Sequence, residues 1–293
     1  MRDGLRRLGL VVRPGPLATP HASKTDGVEA LVHLARGADE LGCGALLLDA
    51  SGQDVASSEG RCRDPFVLLG ALAASTARIR LAAITSPSPR HASMLAKTVS
   101  SLDVLADGRA AHCFAPGLAD GADALGQLRE AIEVCWRMFH FPAASFDGRY
   151  ESVREAHNEP RPRRPTALGL VLADAGSFPQ RERSEALAAL AADRCDYAVL
   201  RLVDAPGEHA CQCVRSARRA LGDAWRVRQR APGPVPLVVW LDGDGDPQSA
   251  AVRAAARRAS SAGAHMVLVS VPAGLARSAL DAAIAGLASA IEA

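Results

Sequence analysis

Short apolar runs alternate with longer amphipathic stretches along the whole chain, the pattern of parallel strands joined by crossover helices. Eight runs read as strands, at residues 8–12, 45–49, 79–84, 110–114, 167–172, 197–201, 237–240 and 264–270. Helical stretches follow them, beginning with 28–41, 65–75 and 93–105. In the stretch 122–139, Leu128, Ile132, Cys135 and Phe139 recur at steps of four, three and four, which makes one apolar stripe on a 3.6-residue helix. Arg129, Glu130, Glu133 and Arg137 occupy the other side, so only the apolar face is expected to be covered. Leu280, Ile284, Leu287 and Ile291 repeat the arrangement near the end. Eight such units in 293 residues match a single closed (β/α)8 TIM barrel of α/β class. The alternative is an open doubly wound sheet, and no glycine-rich first turn marks a dinucleotide half. Residues 140–165 show neither a helical stripe nor a clear strand and read as a long connector within one domain spanning 1–293.

Composition narrows the class without naming a ligand. The 34 basic and 32 acidic residues leave a formal charge of +2, too little to select nucleic acid or an anionic membrane. The main basic concentration, from Arg215 to Arg230, is interrupted by Asp223 and poor in aromatics, which favours a solvated helix. No apolar run approaches the roughly 20 residues of a membrane span. Seven cysteines without a disulfide spacing favour a reducing, cytoplasmic setting. Cys211 and Cys213 lack a companion pair, and Asp242, Asp244 and Asp246 lack the closing glutamate of a calcium loop, so no metal site is expected.

In a barrel, side chains at the carboxyl ends of the strands converge on one rim although they are distant in sequence. Arg13, Asp49, Thr85, Ser86, His112, Arg201, Trp240 and Asp242 hold such positions. His112 interrupts a small, apolar strand and is the candidate for proton transfer near neutral pH, with Asp49 orienting; the alternatives are a core histidine beneath a helix and a carboxylate that caps the following turn. Its neighbour Cys113 must face the opposite way, so only one of the two enters a central pocket. Arg13 and Arg201 are candidate contacts for an anionic group of a substrate or cofactor, with a solvated rim salt bridge as the alternative, and Trp240 is a candidate wall unless it packs outside the barrel. Gly176 and Ser177 precede a helix whose free amides suit a phosphate.

Four ordered segments carry a resemblance: residues 35–48 (ARGADELGCGALLL), 63–81 (RDPFVLLGALAASTARIRL), 90–109 (RHASMLAKTVSSLDVLADGR) and 146–153 (FDGRYESV). Together they resemble the bacterial luciferase-like monooxygenase superfamily of FMN- and F420-dependent oxidoreductases. The resemblance implies a barrel that holds an isoalloxazine or deazaflavin ring at the strand carboxyl ends. It implies a ring or ribityl contact for Thr85 and Ser86, and brings Cys113, Gly176 and Ser177 toward the cofactor. A small organic substrate, a flavin reductase or homologous subunit as partner, and homo-oligomerisation are implied in the same way. Relatives carry a glycine-rich end to the fourth strand, whereas this chain has the run His112–Gly117, and Ala50 stands where relatives often carry histidine. A non-catalytic, ligand-binding barrel or partner subunit with an altered cofactor site is therefore the competing expectation.

Overall fold

The computed structural model describes residues 6–13, 26–51, 64–87, 91–116, 122–162, 165–174, 181–203, 208–228, 233–242, 246–272 and 274–292. Eight parallel strands close a barrel: β1 (Leu8–Val12), β2 (Ala45–Asp49), β3 (Arg80–Thr85), β4 (Ala110–Phe114), β7 (Ala167–Asp174), β8 (Tyr197–Val203), β9 (Leu237–Asp242) and β10 (Met266–Ser270). Each pairs with its neighbour in parallel, and β1 closes the ring by pairing with both β2 and β10. The helices are α1 (Asp26–Leu41), α2 (Pro65–Ser75), α3 (Ala92–Leu105), α4 (Ala122–His140), α5 (Arg181–Arg194), α6 (Glu208–Arg228), α7 (Ala250–Ser261) and α8 (Arg277–Glu292). The strands and helices anticipated from periodicity are present, with ends shifted by a few residues.

Side-chain alternation divides the buried apolar residues into two cores. Leu8, Leu10, Val12, Leu46, Leu48, Leu81, Phe114, Leu168 and Leu200 face the helices. Val11, Ala45, Leu47, Ala82, Ile84, Cys113, Val171, Val199, Trp240 and Leu268 fill the barrel axis. The axial space is tight. A Cβ on Gly9 would lie 2.5 Å from Leu268, and one on Gly169 would lie 2.3 Å from the ring of Tyr197. Tyr197 thus takes the space that Gly169 leaves open, and its hydroxyl donates to the His112 carbonyl at 3.3 Å.

The amino-terminal face of the barrel is stapled by charged side chains that bond to backbone. Asp39 accepts from the amides of Ala77, Arg78 and Ile79 at 2.9, 2.9 and 2.7 Å, which fixes the entry to β3. Burial works against its charged form, and the three amides outweigh that, lowering its pKa. Arg109 donates to the carbonyls of Ala73, Thr76 and Ile79. The turn before Arg109 needs positive φ at Asp107 and Gly108, which glycine adopts without steric cost.

The expected connector is instead a built element. Residues Ala143–Asp147 and Ser152–His157 form an antiparallel hairpin, β5 and β6, packed along α4. It corrects the reading of α4 as well. Glu130, expected on a solvated face, is only 5% exposed because the hairpin turn covers it. Its carboxylate accepts from the amides of Arg149, Tyr150 and Glu151 at 3.1, 2.7 and 3.0 Å. Desolvation raises its pKa, and the three amides outweigh it, leaving the group below its ordinary value. Glu151 continues the chain of contacts, accepting from the Ala92 amide at 3.1 Å and pairing with His91 at 2.9 Å. The hairpin thereby ties α4 to the start of α3.

Glu130→Ala is expected to lower stability by about 2–3 kcal/mol, since it leaves three amides without their charged acceptor. Urea denaturation measures the loss. Amide exchange at Tyr150 should rise far more than exchange in the barrel strands, and equal acceleration everywhere would show that the carboxylate does not act on the turn.

Candidate functional site

The carboxyl ends of the strands bring one polar network together at the barrel mouth. Inward positions alternate Val11 to Arg13, Leu47 to Asp49, Val199 to Arg201, Trp240 to Asp242, and Leu268 to Ser270. Asp242 is its centre. Arg201 contacts Asp242 Oδ2 through Nε at 2.6 Å and Nη2 at 2.5 Å, and Arg13 Nη2 donates to the same oxygen. Ser270 Oγ donates to Asp242 Oδ1 at 2.7 Å and accepts from Trp240 Nε1 at 2.9 Å. Arg13 then reaches across β1 to Asp49 Oδ2, with Nε at 3.3 Å. Asp49 Oδ1 is held by the Ser51 amide at 3.0 Å and hydroxyl at 2.6 Å, while Ser86 Oγ donates to the Ser51 carbonyl at 3.0 Å.

The charges cancel but lie at different depths. The side chains of Asp242 and Asp49 are 2% and 5% exposed, whereas those of Arg13 and Arg201 are 43% and 22% exposed. Carboxylates form the floor and guanidiniums the upper surface. Partial burial works against the charge on Arg13, and Asp242 and Asp49 outweigh it, raising its pKa. Both guanidiniums also lie over the Trp240 ring, with Arg201 at 4.6 Å and Arg13 at 5.8 Å from its centroid. Trp240 is 1% exposed.

The opposite arc, at the ends of β3 and β4, is small and apolar. Ile84, Cys113 and Ala115 belong to the axial core, and Ala115 continues the ladder by donating its amide to the Thr85 carbonyl at 2.8 Å. Burial pushes the Cys113 thiol well above its ordinary pKa, so it is a packed side chain and not a thiolate. The bulky members of the same strand, His112 and Phe114, point outward.

His112 is therefore removed from the mouth, correcting its assignment as the proton-transfer group. It is fully buried between sheet and helices, with ring centroids 5.9 Å from Phe66 and 4.5 Å from Phe114. Thr85, also anticipated at the ring edge, turns outward beside it, its Oγ1 3.5 Å from His112 Nε2. Desolvation lowers the His112 pKa to about 3, and Nδ1 has no hydrogen-bond partner among the described residues. A neutral, enclosed imidazole cannot exchange protons with a ligand on the other side of the sheet.

Asp49, Ser86, Arg13, Arg201 and Trp240 are thus brought into one network, while His112 and Thr85 are not. Gly176 and Ser177 lie outside the described residues. Ser51 and Ser270 were missed as individual polar residues at strand ends, although the inward alternation of β10 carries the signal for Ser270.

The depressed His112 pKa has a definite sign in stability. Above the unfolded value both states hold a neutral ring; below it the unfolded chain takes up a proton that the folded chain refuses. Stability is expected to fall as the pH drops below about 6.5 and to go on falling toward about pH 3, approaching a limiting slope of about 1.4 kcal/mol per unit from this group. Denaturant titrations of His112→Leu should show a slope smaller by nearly one proton over that window. An unchanged slope would mean that His112 is protonated in the folded protein.

The model of the luciferase-like monooxygenase family matches residues 7–239. No curated protein sequence matches the chain. Among solved structures it is similar to the monooxygenase RslO1 from Streptomyces bottropensis, at 17% identity, TM-score 0.73, and 98% coverage of both chains. An F420-dependent secondary alcohol dehydrogenase, solved with an F420-acetone adduct, aligns at 13% identity and TM-score 0.74, covering 97% of this chain and 98% of that one. The coenzyme F420 dependent tetrahydromethanopterin reductase from Methanopyrus kandleri gives 13% identity, TM-score 0.71, and coverage of 96% and 97%. These structural likenesses concern the fold, and the family match spans most of the chain. With its closed barrel and polar mouth, this chain belongs to the luciferase-like monooxygenase family.

Proposed function

We propose that the protein is an oxidoreductase that binds a flavin or deazaflavin at the carboxyl-terminal mouth and acts there on a small organic substrate. The observation that carries this reading is the orientation of β4. The run that replaces the glycine-rich strand end sends His112 and Phe114 toward the helices and leaves only Cys113 and Ala115 facing the axis. Cys113, fully buried, and Ala115, 5% exposed, put little side-chain volume on the axial side of this strand end, so the residues present fit a planar group seated above them.

When bound, the cofactor supplies the hydride or electron-pair chemistry. The chain's own contribution is placement. Ala115, above the buried Cys113 and Ile84, lies on the apolar side; Asp49 and Asp242 hold Arg13 and Arg201 in fixed positions opposite. Trp240 packs beneath the guanidiniums and closes the axis below the mouth. Asp49 and Asp242 act as positioning residues, since their oxygens are already engaged by guanidinium and hydroxyl donors.

Titrating the folded protein with FMN and F420, each oxidised and reduced, tests the reading by fluorescence or calorimetry. Saturable binding of one form is expected, and Ala115→Leu should weaken it about tenfold or more by filling the ring space. Preference for reduced FMN would point to a flavin reductase as partner, and preference for F420 to direct hydride exchange with substrate. Absence of binding by all four forms would overturn the cofactor reading in favour of a non-catalytic barrel.

A further inference from the structure

We propose that the amino-terminal face of the barrel carries a second ligand site, built on Arg7 and Arg218, that receives the phosphate or carboxylate group of a small organic molecule. The site is independent of the oxidoreductase reading and lies at the other end of the strands from the mouth, since Arg7 precedes β1 and Arg13 follows it. A cavity of about 450 Å³ opens there beside the segments that enter β9 and β10. Its lining includes Arg7, Arg218 and His265, and no aspartate or glutamate among the described residues. Leu221, Val235 and Leu237, all buried, give it an apolar side. A space of this size and mixed lining suits a small molecule that is anionic at one end.

The partners of the two guanidiniums carry the inference. Arg7 donates through Nε to the His265 carbonyl at 3.3 Å, and through Nη2 to the Ala264 carbonyl at 2.8 Å and the Ser260 hydroxyl at 3.2 Å. Arg218 donates through Nη1 to the Ala262 carbonyl at 3.1 Å. Both therefore gather on carbonyls within residues 262–265, and every one of their partners is neutral. Two like charges are held close together without a counter-charge. Nη1 of Arg7, and Nε and Nη2 of Arg218, have no acceptor among the described residues. An oxyanion entering the cavity supplies the missing charge and accepts from these nitrogens. Arg109, on the same face, is the contrast: both of its terminal nitrogens are engaged with Ala73, Thr76 and Ile79, which leaves neither for a ligand.

Both side chains are positioned before a ligand arrives. Ser260 donates onward to the Ile291 carbonyl at 3.0 Å, which fixes the hydroxyl that receives Arg7. Arg218 lies against Gly263, where a Cβ would stand 2.6 Å from the guanidinium carbon. Gly263 has a φ of +94°, which glycine adopts without strain, so the turn that presents the carbonyls also makes room for the guanidinium. Much of the ordering that an anion would otherwise impose on two long side chains is thus already present in the folded chain.

The test follows the arginine Nε–H resonances of the full chain during titration with inorganic phosphate, exchanged against chloride at constant ionic strength so that screening stays fixed. The signals of Arg7 and Arg218 are expected to move together and saturate. Arg218→Met, at an exposed position, should weaken binding about tenfold or more. Arg219→Met removes the same charge from the same helix but does not touch the cavity, and should leave binding unchanged. No saturable shift at tens of millimolar phosphate would overturn the proposal. Equal weakening by the two variants would do so as well, by showing diffuse attraction to a basic helix. Phenyl phosphate and benzoate then separate an organic ligand from free phosphate. At least one of them is expected to bind more tightly than inorganic phosphate, because its ring can reach the apolar side. Phosphate binding at least as tight as both would overturn the assignment to an organic molecule.

Discussion

Period-two alternation along the eight strands is the constraint on which the site depends. In a closed parallel barrel each successive side chain must face either the axis or the helices. Once Val11, Leu47, Val199 and Leu268 are committed to the axis, Arg13, Asp49, Arg201 and Ser270 have no other direction to take. The same rule places Cys113 inside and His112 outside on β4. The chemistry at the mouth is therefore a consequence of register, because a one-residue slip would exchange an arginine for an apolar neighbour on every affected strand.

That dependence explains why the barrel was more legible than its polar mouth. The strand runs and helical stripes are local patterns, readable within a dozen residues, and their number pointed to the closed fold. Direction at a strand end is also local in principle, but its phase must be known to the residue. His112 drew attention because it puts a group that titrates near neutral pH into a small, apolar strand. Only the buried surroundings of Phe66, Phe114 and Thr85 reveal that the helix side claims it. Asp49, Arg13 and Arg201 lie at the mouth with Trp240 buried beneath them, and their assembly around Asp242 joins residues separated by up to 229 positions. No sequence pattern specifies which carboxylate two distant arginines will share.

The segments that carry the family resemblance tell a complementary story. Three of their polar residues bond to backbone outside the network at the mouth. Asp39, in the first segment, fixes the entry to β3; Arg109, at the end of the third, bonds to carbonyls around the α2–β3 turn. Glu151, in the fourth, joins the hairpin to α3 through the Ala92 amide. A recognisable pattern can thus identify the scaffold through residues that hold its turns and helix starts. The hairpin was hidden for a related reason: its strands are short, exposed on one side and held largely by Glu130, which belongs to another element.

The depth ordering of charge at the mouth has an energetic logic of its own. Burying Asp242 without partners would cost several kcal/mol, roughly the penalty for an uncompensated ion in a protein interior. Two guanidiniums and the Ser270 hydroxyl meet that need, and Trp240 fills the volume between them and the axial core. Stability alone would be served as well by an apolar plug of similar size. The ionic arrangement differs from such a plug in one respect that packing does not explain: it leaves Arg13 nearly half exposed while concealing both carboxylates.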